Sequence, residues 1–149
     1  MIDYSRVFHF GFVVRNMDRA VRVWERQGAR LVVPPGIDPI QNVSCALFAW
    51  EGAAAVELIA PLPEGPNPVK SRLEKGGGLD HICLFADDVD KELVSFVDRG
   101  ALPVVAPCYG AVFDRTLAFV QTREGMTVEL MSRLPLGRMA TDPLAEFRR

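Results

Sequence analysis

The sequence predicts an α+β protein of two tandem βαβββ modules that form a curved mixed sheet. Two observations predict it. The chain repeats itself without a gap at an offset of 72 residues, and each copy runs through the same series of strand and helix periodicities. At that offset His9 falls on His81, Asp18 on Asp90, Gly28-Ala29 on Gly100-Ala101 and Val32-Val33 on Val104-Val105. Pro35 falls on Pro107, and "VEL" at 56–58 falls on "VEL" at 128–130.

The elements follow in chain order. "VFHFGFVV" (residues 7–14) is short and rich in β-branched and aromatic residues, so it reads as a strand. Asn16 or Asp18 then caps a helix over 17–27. Met17, Ala20, Val21 and Trp24 fall at helical spacing, and Gly28 stops it. Strands are expected at 30–33, 43–50 and 54–59. The second copy repeats this: a strand at 80–86, a helix capped by Asp87 or Asp88 with Val89, Leu93, Phe96 and Val97 on one face, a stop at Gly100, then strands at 102–105, 115–121 and 126–131. Together they make one domain over 6–133, with module 1 at 6–61, a linker at 62–78 and module 2 at 79–133. Prolines and terminal glycines mark the linker, which carries one short helix near 68–75. Residues 134–149 are polar and contain proline, and read as an extra C-terminal arm.

Bulk composition narrows the function classes. At 149 residues, 49% hydrophobic and 24% charged, the chain resembles ordinary globular proteins. A net charge of -2 offers no basic field for nucleic acid or a membrane surface. No run approaches the ~18 apolar residues of a membrane span. "MIDYSRVFHFGF" lacks the basic and apolar segments of a signal peptide, so a cytoplasmic location is expected. Three cysteines, Cys45, Cys83 and Cys108, share no repeat position and no CxxC pairing. They read as small buried hydrophobes in a reduced protein.

The repeat also isolates the candidate chemistry. Glu57 and Glu129 stand at the centres of "AVELIA" and "TVELMS", apolar segments in which an ionised carboxylate needs a compensating partner. The only two histidines, His9 and His81, occupy matching positions in the two copies. Side chains alternate faces along a strand, so His81 shares a face with Cys83 and Phe85. If the modules curl toward each other, His9, Glu57, His81 and Glu129 converge around one divalent metal ion: cobalt, nickel, zinc, manganese or iron. Arg115, Arg123, Lys70 and Tyr109 are the candidates to meet an anionic substrate group.

Over residues 7–132 these features resemble the vicinal oxygen chelate superfamily of glyoxalases, bleomycin-resistance proteins and extradiol dioxygenases. The block "VELIAPLPEGPNPVKSRLEKGGGLDHICLFADDVD" is similar to methylmalonyl-CoA epimerases, and "FHFGFVV" to their "DHIGIAV". The resemblance implies a glyoxalase-like fold, His9, Glu57, His81 and Glu129 as metal ligands, and a small carbonyl substrate such as an acyl-CoA. It also implies a homodimer, and proton transfer beside a carbonyl by an isomerase, epimerase or lyase. Glu129 is the first candidate base and Glu57 the second; Arg115, Tyr109, Cys83 and Phe85 are the substrate-binding candidates. Those epimerases usually carry a further glutamate in a segment like "PEQGV". Here the segment reads "DPIQNV", with Ile40 in that place. A non-enzymatic binder of the bleomycin-resistance type and a non-haem iron dioxygenase are the alternatives. Four protein ligands count against the dioxygenase, which uses two histidines and one carboxylate.

Overall fold

The computed structural model describes residues 3–148, so Arg149 of the expected arm lies outside the described residues. The chain divides into two compact units. Residues 9–80 make the first, and residues 81–148 with the N-terminal residues up to Phe8 make the second.

The first unit contains β1 (Val7–Val13, its first two residues belonging to the other unit), α1 (Met17–Arg26), β2 (Arg30–Asp38), β3 (Val43–Ala49), β4 (Ala55–Pro61) and α2 (Lys70–Glu74). Its strands lie in the order β2-β3-β4-β1. The β2–β3 and β3–β4 pairs are antiparallel and β1–β4 is parallel. The Asn16 side chain accepts the Arg19 N–H at 2.8 Å and starts α1, of the two caps the sequence offered. Gly28 takes φ +89° just past its end, a conformation that costs glycine no Cβ clash. Trp24 on α1 meets Phe12, Phe48 and Trp50 at 5.6–5.8 Å between ring centroids. With Met17, Ala46, Leu58 and Ala60, these rings form the core between the helix and one sheet face. The other face is left for Glu57.

The second unit repeats the plan with β5 (Gly78–Ala86, entering from the linker), α3 (Val89–Asp98), β6 (Leu102–Gly110), β7 (Arg115–Gln121) and β8 (Thr127–Ser132). Its order is β5-β8-β7-β6, again with one parallel and two antiparallel pairs. Asp88 caps α3 by accepting the Lys91 N–H at 3.0 Å. Each module is therefore a mixed-sheet βαβββ unit, as the periodicities predict.

Two differences from the sequence expectation share one cause. β2 and β6 run on to Asp38 and Gly110, past prolines that made the strands look finished at residues 33 and 105. Both are outer strands, where a missing N–H breaks no ladder, and both absorb their prolines through register shifts.

The repeat also continues beyond Ser132. Asn42 and Asp114, 72 residues apart, are the two non-glycine residues with positive φ (59° and 55°) among the described residues. Each holds the segment that follows its own module. Asn42 Nδ2 donates to the carbonyls of Glu64 and Pro66 at 2.9 and 2.8 Å. The Asp114 carboxylate accepts the N–H groups of Gly137, Arg138 and Met139 at 3.0–3.4 Å. Farther on, the Asn67 side chain accepts the Val69 N–H, and the Asp142 side chain accepts the Leu144 N–H, at 3.1 and 3.0 Å. "NPV" before α2 thus matches "DPL" before the short 3-10 turn Ala145–Phe147, now at an offset of 75. The C-terminal arm is thus tied down in the same way as the linker.

Candidate metal centre

In the first unit β1 pairs with β4 so that Gly11 lies beside Glu57, which places His9 two residues away on the same face. His9 Nε2 lies 3.0 Å from Glu57 Oε2. In the second unit Cys83 lies beside Glu129, and His81 Nε2 stands 3.1 Å from Glu129 Oε2. All four side chains are buried. Each unit therefore builds the same pair from its first and last strands. The reason is local: Leu58 and Leu130, the next residues along, face the core with no exposure, so the alternation turns each glutamate to the opposite face.

The donor set fits a divalent ion. Neighbouring ligands bound at about 2.1 Å to an octahedral ion stand about 3.0 Å apart, the spacing found within each pair. Two carboxylates balance a dipositive charge, and imidazole with carboxylate suits the middle and later first-row metals. Each unit's buried pair, His9 with Glu57 and His81 with Glu129, offers donors that could hold a metal.

Around the second pair, Phe119 sits directly opposite Glu129 across β7 and β8 and packs its ring against His81. The centroids are 5.2 Å apart and the planes at 88°. At the repeat offset Phe119 falls on Leu47, an ordinary apolar exchange that carries no sequence signal of its place beside the pair.

The other sequence-selected residues are placed as follows. Arg115 is wholly buried and gives two hydrogen bonds to Asp142, at 2.8 and 3.1 Å, and a third to the Phe113 carbonyl. Tyr109 donates to Asp114 at 3.2 Å, and the Arg138 guanidinium lies over its ring at 4.3 Å. Cys83 is buried beside Glu129, and Phe85 stacks on Phe8 at 4.3 Å. Lys70 is exposed, near Glu74, and exposed Arg123 lies across Gly100 where a Cβ would stand. Asp38 is buried and accepts from the Ile40 and Gln41 N–H groups and the Gln41 amide, all at about 3 Å, whereas Ile40 is exposed.

Comparison with known proteins identifies the family and supports the fold. Residues 8–119 match the family model of the glyoxalase/bleomycin resistance protein/dioxygenase superfamily. The chain belongs to this superfamily. Among solved structures, the chain is similar to methylmalonyl-CoA epimerase from Mycobacterium tuberculosis, with 24% identity, TM-score 0.76, 91% of this chain and 94% of that one. It is similar to a Streptomyces coelicolor methylmalonyl-CoA epimerase variant in complex with 2-nitronate-propionyl-CoA, with 22% identity, TM-score 0.73, 85% and 96% coverage. A hypothetical protein from Bacillus halodurans C-125 shares 20% identity, with TM-score 0.74, 89% and 97% coverage. No curated protein matches in sequence. At these identities the solved structures establish the glyoxalase-like fold of two βαβββ modules. The superfamily includes both enzymes and resistance proteins.

Proposed function

We propose that this superfamily member is a metal-dependent isomerase, epimerase or lyase that moves a proton on the carbon beside a substrate carbonyl. One divalent ion per chain is held by His9, Glu57, His81 and Glu129. The observation that carries the reading is the repeated buried pair, with imidazole and carboxylate at 3.0 Å in one unit and 3.1 Å in the other. A bound divalent ion supplies Lewis acidity toward the carbonyl oxygen. The chain's own part is acid–base work. Glu129 Oε2 takes the proton as the C–H bond breaks, the electron pair moves toward the carbonyl oxygen, and a carboxylic acid returns the proton. Glu57 is the second group for that return. Burial of both carboxylates excludes competing water from the exchange.

An acyl-CoA thioester is the substrate class we favour, since the similar epimerases are seen with 2-nitronate-propionyl-CoA and with methylmalonyl-CoA. Ile40, exposed on the β2–β3 turn, stands where the resemblance implies a further glutamate, which argues against epimerisation of methylmalonyl-CoA itself. A homodimer belongs to the same proposal, with the outer strands supplying apolar surface from Ile37, Leu102 and Val104.

The test is solvent exchange. Metal-loaded protein in D2O with a panel of branched acyl-CoA thioesters should introduce deuterium beside the carbonyl of at least one, and chelation should stop it. Tight binding of a panel member with no exchange would replace this reading with that of a binding protein.

A further inference from the structure

We infer that Phe119 is a positioning residue that sets the plane of the His81 imidazole, so that the second unit presents its metal ligand in a fixed orientation. The inference rests on His81 being a ligand. An imidazole nitrogen binds along a lone pair lying in the ring plane, so a tilt of the ring moves the lone pair off the ion. A side chain that holds the ring therefore acts on affinity without touching the metal.

Three observations converge on Phe119. Its ring meets the imidazole at 5.2 Å and 88°, the T-shaped arrangement in which the edge of one ring meets the face of the other. Residues directly opposite on antiparallel strands share a face, and Phe119 is directly opposite Glu129, so one aromatic ring flanks both members of the pair. The first unit provides an internal comparison. There Leu47 is directly opposite Glu57, has no exposure, and offers no ring to His9. Phe119 is only half-buried. A core residue under pressure only to fill space would be closed over as Leu47 is. At the position opposite the glutamate the second unit carries a ring that keeps part of its surface open, where the first carries a closed-over leucine.

Phe119→Leu gives the second unit the residue of the first, and Phe119→Tyr keeps the ring. Cobalt(II) affinity by chelator competition and the cobalt(II) visible spectrum are the readouts, with thermal midpoints measured alongside. The expectation is a loss of about 2- to 10-fold in affinity for Phe119→Leu, the scale of one aromatic contact. Its ligand-field bands should shift, while Phe119→Tyr keeps wild-type affinity and spectrum. A Phe119→Leu protein with wild-type affinity and spectrum and a lowered thermal midpoint would overturn the inference in favour of packing alone. Equal losses in both variants would also overturn it. A wild-type chain that binds no cobalt would instead remove His81 as a ligand, which is a different failure.

Discussion

At the scale of single residues, the unusual feature of the molecule is a carboxylate in the middle of a buried strand. Glu57 and Glu129 are each surrounded by residues that sequence patterning sends to the core, and a buried ionised carboxylate costs several kcal/mol unless charge or hydrogen bonds compensate it. Both lie against a histidine on the first strand of the same repeat; the 72-residue offset marks the two histidines as equivalent and the two glutamates as equivalent, and the fold brings each histidine to its glutamate. Glu129→Gln keeps an oxygen donor and the side-chain volume but removes basicity. It should lower proton exchange by about 10²–10⁴-fold while part of the metal is retained. Wild-type exchange in a metal-loaded Glu129→Gln protein would leave Glu129 as a ligand only, with the base elsewhere. What the sequence did not disclose at this scale is the occupation of polar side chains. Arg115 read as a free cation on a strand, and only the fold reveals that it is buried against Asp142, 27 residues away. Nothing local in "DRTLAF" distinguishes a buried arginine from an exposed one.

At the scale of elements, the C-terminal segment is tied down by two carboxylates working in opposite directions. Asp114 in the β6–β7 turn accepts from the segment's backbone, and Asp142 in the segment accepts from Arg115 on β7 and from Arg148. Burial alone would push the Asp142 carboxyl pKa up. The hydrogen bonds from Arg115, the Leu144 N–H and Arg148, together with the Arg115 charge, outweigh burial and hold it below the ordinary carboxylate value. A carboxylate depressed in the folded state contributes stability that is fully present above its unfolded pKa and lost as pH falls through its folded pKa. Amide protection factors across 134–148, taken relative to intrinsic exchange at each pH, should therefore be high at neutral pH and fall below about pH 4, near the unfolded carboxylate value. Protection unchanged at pH 3 would show that the pair does not hold the segment. Asp142→Asn should cost about 3 kcal/mol, because it leaves the Arg115 charge buried without a counter-charge. Replacing both residues with leucine should recover most of that loss. The likeness of this segment to the linker is hidden from the sequence repeat for a simple reason. The offset changes from 72 to 75 between the Asp114 contacts and "DPL", so a gapless comparison ends at Ser132. The outer strands were under-read for a different reason, since proline ends an inner strand but only bends an edge one.

At the scale of the whole molecule, duplication explains why the fold was readable and its specificity was not. Two copies of one βαβββ unit repeat every constraint that makes a strand or a cap, so each expectation was checked twice within one chain, from Asn16 and Asp88 to Gly28 and Gly100. The copies differ at positions such as Leu47 and Phe119, and a repeat is silent where it fails. Exposed Leu102 and Val104 on β6 and Ile37 on β2 leave apolar outer strands in both units. The proposed homodimer should appear as twice the chain mass by sedimentation at micromolar concentration; a monomer there would refute it. The claim on which everything else depends is that the two His–Glu pairs serve one ion. Metal analysis after loading with excess cobalt(II) and desalting tests it most directly, comparing wild type with His9→Ala and His81→Ala. One equivalent per chain is expected in the wild type, with most of it lost in either variant. Two equivalents in the wild type, with half retained in each variant, would contradict it by showing two independent pairs.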